Sequence, residues 1–418
     1  MKLIKKILIF TFLVILVIYL VPTSPSDFFE NYTNNDKASQ SLKEFQSKTI
    51  TKINVDGVDW KYYSGGNGNK TILFLHGMGG SYDLWWQQIS AFEKGYKVIT
   101  YTLPEEINSL EKTSKGILKI LDKEKVNQFY AVGTSMGGYI AQYLVQTIPN
   151  RIEKVVFGNT FPPNDLILKE NKSKSKIIPL LPEVLFSKLG EKKLNNEIIP
   201  AAKNSKLLKA FLTSLPSNKK LFMNRYGVVI DKFTATPQKY EIKRVPKLII
   251  ESDNDPLVQP ELRKKIKELY ADAEVFAFHN EGHFPYINAA VKYNKVLQNF
   301  FNKENTYKNV EKTIKNYFEG RKNADSEQLQ DAFSDKAKLY TIINGKELIV
   351  TFDEYLNKVK TDGKQKVTTQ ILFGDITNNI ANFKTEFQYT GKTYIDYLTL
   401  LHTQSGWKIN NKTFTKIN

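Results

Sequence analysis

The stretch "FYAVGTSMGGYIAQYL", residues 129–144, combines two patterns that predict how this part of the chain folds. Residues 129–133 are apolar enough for a strand buried in a sheet, and residues 137–147 have the apolar spacing of a helix. Ser135 stands between them, with one glycine two residues before it and another two residues after it. A G-x-S-x-G sequence between a strand and a helix is typical of a tight turn that presents a nucleophilic serine. An ordinary glycine-rich turn is the alternative, because glycine and serine are both common in loops.

Two main-chain amides are candidates for stabilising an oxyanion beside Ser135. The motif "LFLHGMGG" ends another buried strand and contains Met78, while Met136 directly follows the serine. The N–H groups of these two methionines are predicted to form an oxyanion hole. His76, in the same motif, is expected to be structural, since it precedes the oxyanion loop instead of following the acid.

A base and an acid are expected after two later strands. "LIIESDNDPLV" places Asp253 and Asp255 after a buried strand, and "FAFHNEGHFPY" places His279 and His283 after the last strand. A serine hydroxyl is a poor nucleophile unless an imidazole accepts its proton and a carboxylate orients that imidazole. His283 is the predicted base, because Gly282 lets the loop turn towards the serine, and His279 is expected to end the strand. Asp255 is preferred as the acid over Asp253, which can serve as a turn or cap residue.

The pattern of the whole chain predicts two domains. From about residue 48 to 303, continuous apolar strands alternate with helices, as in an α/β domain whose mostly parallel sheet is covered on both faces. Between about 161 and 243 this alternation stops, and the lysine-rich helical insertion there is expected to form a lid. From about 304 to 418, helical spacing over residues 307–318, followed by strands over about 381–389, 393–401 and 407–414, predicts an α+β domain.

The first 47 residues are predicted to lie outside both domains. Three lysines precede an apolar run over residues 7–21, and two prolines then end any helix. Residues 1–22 are interpreted as an uncleaved transmembrane helix, with a cleaved signal peptide as the alternative. Residues 23–47 are polar and are interpreted as a linker. The protein is then expected to be membrane-anchored and extracytoplasmic, in the cell envelope.

The composition excludes several function classes. The 418-residue chain contains no cysteine, which excludes disulfides, thiolate catalysis and cysteine-bound metals. Its net charge is +17, but the lysines are scattered and no nucleic-acid-binding module accompanies them. A solvated basic surface is therefore preferred over binding to nucleic acid. No metal ion and no organic cofactor is expected.

Four motifs resemble those of the α/β-hydrolase fold over about residues 49–301. "LFLHGMGG", "VGTSMGGYIAQYLV", "IIESDNDPLVQP" and "EGHFPYI" are similar, in that order, to its oxyanion, nucleophile, acid and histidine motifs. The resemblance implies a carboxylesterase- or lipase-like serine hydrolase that acts on a small-molecule acyl substrate through Ser135, His283 and Asp255. The chain departs from the family after the strand "YKVITYTLP", so the resemblance does not imply a particular substrate.

The tail, about residues 307–414, resembles the SnoaL-like, lumazine-binding-type cone of helices on a curved sheet. The motifs that carry this resemblance are "VEKTIKNYFEG" and "YIDYLTLLHTQSGWKI". It implies a pocket for a small molecule and a possible homodimer formed through this domain. Tyr340, Asp396 and His402 are candidate pocket residues, but packed or exposed scaffold is the preferred interpretation for all three.

Two functions are compatible with these observations. The leading hypothesis is an exported serine hydrolase that cleaves a carboxylic ester or related acyl compound through an acyl-enzyme intermediate. The alternative is a non-catalytic protein that binds a ligand with the hydrolase fold and the cone domain. The complete set of four motifs favours the enzyme.

Overall fold

The computed structural model describes Tyr19 and residues 23–417, which form two compact units. The first unit contains the described residues up to Pro237 together with Val245–Asn302. The second contains Gln238–Arg244 and the described residues from Lys303 onward. The chain therefore passes from one unit to the other three times.

The helices and strands of the described residues are numbered in chain order. The strands are β1 (Thr51–Val55), β2 (Val58–Gly65), β3 (Thr71–Leu75), β4 (Lys97–Thr102), β5 (Phe129–Thr134), β6 (Ile152–Gly158), β7 (Lys247–Ser252), β8 (Glu274–Phe278), β9 (Phe333–Ile343), β10 (Lys346–Thr351), β11 (Val367–Thr377), β12 (Ile380–Tyr389), β13 (Lys392–Thr403) and β14 (Gly406–Ile417). The α-helices are α1 (Phe28–Asn31), α2 (Lys37–Gln46), α3 (Trp86–Phe92), α4 (Leu110–Lys123), α5 (Met136–Thr147), α6 (Leu166–Ile177), α7 (Glu183–Lys193), α8 (Ile199–Ala201), α9 (Lys206–Ser214), α10 (Lys219–Ile230), α11 (Tyr240–Lys243), α12 (Pro260–Leu269), α13 (Pro285–Asn288), α14 (Ala290–Asn302), α15 (Thr306–Asn323), α16 (Ser326–Ala332) and α17 (Phe352–Asp362). Short 3-10 turns lie at Tyr82–Trp85, Pro149–Arg151 and Ile178–Leu180, and a π turn lies at Leu194–Ile198.

The first unit is built on an eight-stranded sheet with the strand order β1-β2-β4-β3-β5-β6-β7-β8. β1 and β2 form an antiparallel hairpin, β2 pairs antiparallel with β4, and every later neighbour pairs in parallel. Every residue of β3 and β5 is buried, as expected for strands with both faces covered by helices. The predicted α/β class and mostly parallel sheet are confirmed.

This topology determines where a site can form in the first unit. The strands β3, β5, β6, β7 and β8 run in the same direction, so their carboxyl ends reach the same edge of the sheet. Ligand sites of open parallel sheets lie at that edge. The loops that follow these strands carry the predicted serine, acid and base.

Residues 23–47 differ from the predicted polar linker. They form α1 and α2, whose N-caps are Asp27 and Asp36. The side chains that these helices bury in the core of the first unit are Phe28, Tyr32, Leu42 and Phe45. Burying such a side chain stabilises a fold by about 1.5–3 kcal/mol. Composition conceals this role because the apolar residues are few, and the residues that cover them lie far along the chain.

The predicted transmembrane helix, residues 1–22, lies outside the described residues except for Tyr19. Over Tyr19 and residues 23–417, the structure contains no helix that is both long enough and apolar enough to cross a bilayer.

The predicted lid insertion divides into parts with different burial. α6 and α7 bury none of their described side chains, whereas α9 and α10 contribute residues to the interior of the first unit. The last residues of the insertion, Gln238–Arg244, belong to the second unit instead. There Tyr240 joins the hydrophobic core, and its Oη donates a hydrogen bond to Glu311 Oε1 at 2.5 Å.

The second unit is the expected α+β domain. Its six-stranded sheet has the order β10-β9-β14-β13-β12-β11, antiparallel throughout except for the parallel pair β14 and β9. The helices α15, α16 and α17 contribute the buried Val310, Leu329 and Phe352 to one core with the sheet. The sequence pattern indicated α15 and the last three strands, whereas β9, β10 and β11 were not predicted.

Candidate active site

Ser135 occupies the turn between β5 and α5, as the G-x-S-x-G pattern predicts. Its φ and ψ are 54° and −122°, a left-handed region that residues with a side chain rarely adopt. Its N–H donates to Gly158 O at 2.9 Å, and its carbonyl accepts a hydrogen bond from Thr160 Oγ1 at 2.6 Å. These contacts hold the strained backbone in place, with the serine side chain at the carboxyl edge of the sheet.

Two glycines make this turn possible. A Cβ added to Gly133 would lie 2.1 Å from Gly137 O, and one added to Gly137 would lie 2.1 Å from Leu75 O. Both separations are far below van der Waals contact, so any other residue would push α5 away from β3 and β5. The glycine spacing therefore reflects close packing around Ser135.

His283 and Asp255 form a buried pair in the loops after β8 and β7. His283 Nδ1 lies 2.8 Å from Asp255 Oδ2 and 3.0 Å from Oδ1, and the side chains are 3% and 0% exposed. Burial by itself raises the pKa of Asp255, but the charge and hydrogen bonds of His283, the Asn159 amide and the Leu257 N–H hold that pKa below its usual value. A carboxylate can only accept, so the proton of the neutral imidazole sits on Nδ1 and leaves Nε2 free to accept another.

Asn159 completes this arrangement and was not identified from the sequence. Its Nδ2 donates to Asp255 Oδ2 at 2.9 Å and to Gly282 O at 3.4 Å, while its N–H donates to Ile250 O at 2.7 Å. One side chain thus holds the acid and the backbone next to His283. The available signal was its position, since it directly follows β6 at the same sheet edge.

The loop after β3 lies against the serine turn. A Cβ added to Gly77 would lie 3.3 Å from Ser135 Cβ, so this backbone passes within contact of the serine. The next residue is Met78, and Met136 is the first residue of α5. Both predicted oxyanion amides therefore belong to segments that border Ser135, and their role stays a prediction.

His76 is held inside the protein by both ring nitrogens. Nδ1 donates to Gly77 O at 2.7 Å, and Nε2 accepts from Leu103 N at 2.9 Å. Burial and the nearby Arg225 charge lower the pKa of His76 to about 3, so the ring is neutral at ordinary pH. With both nitrogens engaged, His76 is structural, as its place in the sequence suggested.

The alternative acid, Asp253, pairs with the other candidate histidine. Asp253 Oδ2 lies 2.8 Å from His279 Nδ1, and Oδ1 accepts from Asn280 N at 2.9 Å. The side chains are 46% and 75% exposed. The structure therefore assigns each aspartate to one histidine, with only the His283 pair buried.

The three candidate pocket residues of the second unit have different surroundings. Asp396 is buried, where its Oδ2 lies 3.0 Å from Lys412 Nζ and accepts from Tyr317 Oη at 2.5 Å. Tyr340 is half-buried on β9, and His402 is exposed with its ring beside Trp407. Asp396 is thus the one of the three that is buried in the core of this unit.

Comparison with known proteins identifies the family of the first unit. Residues 70–290, more than half of the chain, match the family model described as "alpha/beta hydrolase fold". The chain belongs to the alpha/beta hydrolase fold family. Residues 305–415 match a second model, described as "Putative lumazine-binding", which confirms the resemblance of the tail.

Curated relatives of this alpha/beta hydrolase are distant. It is 25% identical over 261 residues to a pimeloyl-[acyl-carrier protein] methyl ester esterase from Hamiltonella defensa, covering 58% of this chain and 96% of the esterase. It is 30% identical over 151 residues to the dihydrolipoyllysine-residue acetyltransferase component of an acetoin cleaving system from Cupriavidus necator. That match covers 32% of this chain and 40% of the relative, so the chain spans well under half of that protein.

Solved structures support the fold. An enol-lactonase from Burkholderia xenovorans LB400 superposes with a TM-score of 0.51 at 18% identity, covering 60% of this chain and 100% of the lactonase. A hydrolase from Pseudomonas aeruginosa PA01 superposes with a TM-score of 0.53 at 17% identity, covering 62% of this chain and 100% of that structure. At these identities the likeness concerns the fold alone.

Proposed function

We propose that this alpha/beta hydrolase is a serine hydrolase that cleaves a carboxylic ester or a related acyl compound. The observation that carries the proposal is the buried His283–Asp255 pair at the sheet edge where Ser135 stands in its strained turn. Acyl transfer to a serine requires an imidazole that accepts the hydroxyl proton and a carboxylate that fixes the tautomer of that imidazole.

The proposed reaction has two halves. His283 Nε2 accepts the Ser135 hydroxyl proton as Oγ attacks the acyl carbon, and the protonated imidazole then gives that proton to the leaving alcohol. Water next attacks the acyl-enzyme with His283 again as base, which releases the acid and restores Ser135. Asp255 keeps the imidazole in its tautomer, and the amides of Met78 and Met136 stabilise each oxyanion.

The ester class is supported by the name of one similar protein. The relative from Hamiltonella defensa is named a methyl ester esterase. That name describes cleavage of an acyl–oxygen bond. We extend that bond type, and not the substrate, to this chain.

A fluorophosphonate probe tests the proposal, because it phosphonylates an activated serine. We expect labelling of the wild type at Ser135 and no labelling of Ser135→Ala. A folded wild type that stays unlabelled would contradict the serine hydrolase and favour the ligand-binding alternative.

We also propose that the protein is anchored by residues 1–22 and that α6 and α7 rest on the membrane surface. The exposed large apolar residues of this region are Leu168, Ile177, Leu180, Leu185 and Leu189. The exposed lysines of the same two helices are Lys169, Lys172, Lys174, Lys176, Lys188, Lys192 and Lys193. Tyr19, near the end of the apolar run, donates a hydrogen bond to Leu180 O. Each basic side chain near an anionic bilayer adds about 1 kcal/mol of attraction.

A spin label measures this contact directly, since the chain contains no cysteine. A nitroxide would be attached to the full-length protein through Leu189→Cys. The control is a nitroxide attached through Val291→Cys on α14, because Val291 is 87% exposed. In vesicles with anionic lipid, we expect the label at 189 to collide with oxygen and the label at 291 with a water-soluble nickel complex. Equal exposure of both labels to nickel, or spin–spin broadening from a second copy at 189, would contradict the membrane contact.

A further inference from the structure

Arg225 of α10 reaches from the insertion into the loop beside the serine. Its Nη1 donates to Met78 O at 2.7 Å and to Gly80 O at 2.8 Å, and its Nη2 donates to Leu103 O at 3.1 Å. The residue is 2% exposed. One planar guanidinium therefore binds three main-chain carbonyls, two of them in the loop that follows β3.

The charge of Arg225 has no ion-pair partner among the described residues. Glu105 is the carboxylate that attracts it from a distance, but Glu105 is engaged by Lys220 at 2.9 Å and by Asn218 Nδ2 at 3.0 Å. Burial lowers the pKa of Arg225 to about 10, so the group remains protonated at neutral pH. A buried cation without an ion-pair partner is costly for stability unless hydrogen bonds satisfy its donors, and here three main-chain carbonyls accept from it.

The peptide group between Gly77 and Met78 is held from its other side. Gly77 O accepts from His76 Nδ1 at 2.7 Å and from Gly80 N at 2.9 Å. A trans peptide is planar, with its carbonyl and N–H pointing in opposite directions. Two donors on Gly77 O therefore set the direction of the Met78 N–H, and Arg225 fixes the carbonyls of Met78 and Gly80 in the same loop.

We propose that Arg225 is a positioning residue for the oxyanion hole. It acts by clamping the loop that carries the Met78 N–H and by placing a positive charge behind that loop, where negative charge develops in the transition state. This inference rests on the proposed serine hydrolase. It also links the insertion to the reaction, because α10 supplies a side chain that orients the catalytic loop.

Three variants separate the clamp, the charge and simple loss of folding. Arg225→Met removes both the hydrogen-bond donors and the charge, whereas Arg225→Lys keeps a charge but loses the planar guanidinium with its several donors. Arg151→Met is the control, because Arg151 also donates to two main-chain carbonyls, those of Val126 and Asn127 before β5, in addition to its ion pair with Asp122. The kcat of each variant is divided by the concentration of Ser135 that a fluorophosphonate labels. Unfolded molecules therefore do not lower the kcat that is compared.

We expect Arg225→Met to lower kcat about 10- to 100-fold, with KM changed by less than about twofold, as misplacement of a transition-state donor does. Arg225→Lys should fall between this variant and the wild type, and Arg151→Met should match the wild type. A folded Arg225→Met whose kcat per titrated serine equals that of Arg151→Met would overturn the inference.

Hydrogen exchange of residues 77–84 distinguishes failure of this inference from failure of the proposed function. If Arg225 holds this loop, the amide hydrogens of residues 77–84 exchange faster in Arg225→Met than in the wild type. This difference does not depend on whether the enzyme hydrolyses a given ester. A wild type that fluorophosphonate does not label contradicts the proposed serine hydrolase. Unchanged hydrogen exchange in Arg225→Met contradicts the proposed positioning role of Arg225.

Discussion

Two histidine–aspartate pairs lie on the same two loops and differ in their burial. His283 Nδ1 is 2.8 Å from Asp255 Oδ2, and His279 Nδ1 is 2.8 Å from Asp253 Oδ2. The first pair is 3% and 0% exposed at its side chains, while the second is 75% and 46% exposed. The same residue types at the same distance therefore form one pair shielded from water and one pair open to it.

The difference shows that residue identity and spacing do not by themselves create a base for catalysis. Asp255 has further partners that fix its carboxylate, namely Asn159 Nδ2 and the N–H groups of Leu257 and Val258. Water screens an exposed pair and competes for its hydrogen bonds, so such a pair holds an imidazole weakly. Asp253 also accepts from a main-chain N–H, that of Asn280, so burial and the Asn159 side chain are what distinguish the candidate acid from its neighbour.

The largest expected effect comes from removing one member of each pair in turn. Asp255→Asn and His283→Ala should each lower kcat about a thousandfold or more, because the imidazole loses its orienting acid or is absent. Asp253→Asn and His279→Ala, the matched changes in the exposed pair, should stay within about threefold of the wild type. Steady-state hydrolysis of a short-chain ester measures all four.

A reversed ranking of the two aspartate variants would contradict the assignment of Asp255 as the acid. If Asp253→Asn proved the more damaging variant while both proteins stayed folded, the exposed pair would be the functional one and the assignment of Asp255 would be wrong.

A smaller effect is expected from the residue that supports the buried acid. Asn159→Ala removes the Nδ2 donor to Asp255, and a hydrogen bond to a charged group of this kind corresponds to a loss of about 10- to 100-fold in kcat. Asn54→Ala is the control, because the Asn54 Nδ2 also donates to a carboxylate, that of Asp59, in the hairpin of β1 and β2 at the opposite edge of the sheet from β7 and β8. Activity of Asn159→Ala equal to that of the control would show that burial alone orients Asp255.

The smallest expected effect concerns stability at acid pH. The pKa of Asp255 is lower in the folded protein than in the unfolded chain, so its carboxylate stabilises the fold above the unfolded pKa of about 3.9. This contribution is lost as the pH falls through the folded pKa. Asp255→Asn should therefore flatten the decline in unfolding free energy below about pH 4, measured by urea denaturation. Asp253→Asn should flatten it less, because solvent screens the exposed carboxylate; equal slopes for both variants would contradict this.

Much of the first unit could be predicted because its signals are local. The continuous apolar run of β3 and the glycine spacing around Ser135 each reflect the immediate environment of a few consecutive residues. The order of the four motifs could also be recognised from the sequence, since each motif follows a predicted strand. Residues 23–47 were predicted wrongly as a linker, because Phe28 and Phe45 acquire their role from partners far along the chain.

The sequence therefore determined the α/β class, the elements that carry the candidate site, and a short list of aspartates and histidines. The tertiary structure decided which aspartate is buried with which histidine, that Asn159 supports the acid, and that Arg225 reaches the loop after β3. Strand and helix patterns arise from contacts within a few residues, which the order of residues encodes directly. These hydrogen bonds join residues that are separated in sequence by 28, 96 and 147 positions. An isolated asparagine or arginine is not part of a periodic pattern, so the sequence does not indicate its partner.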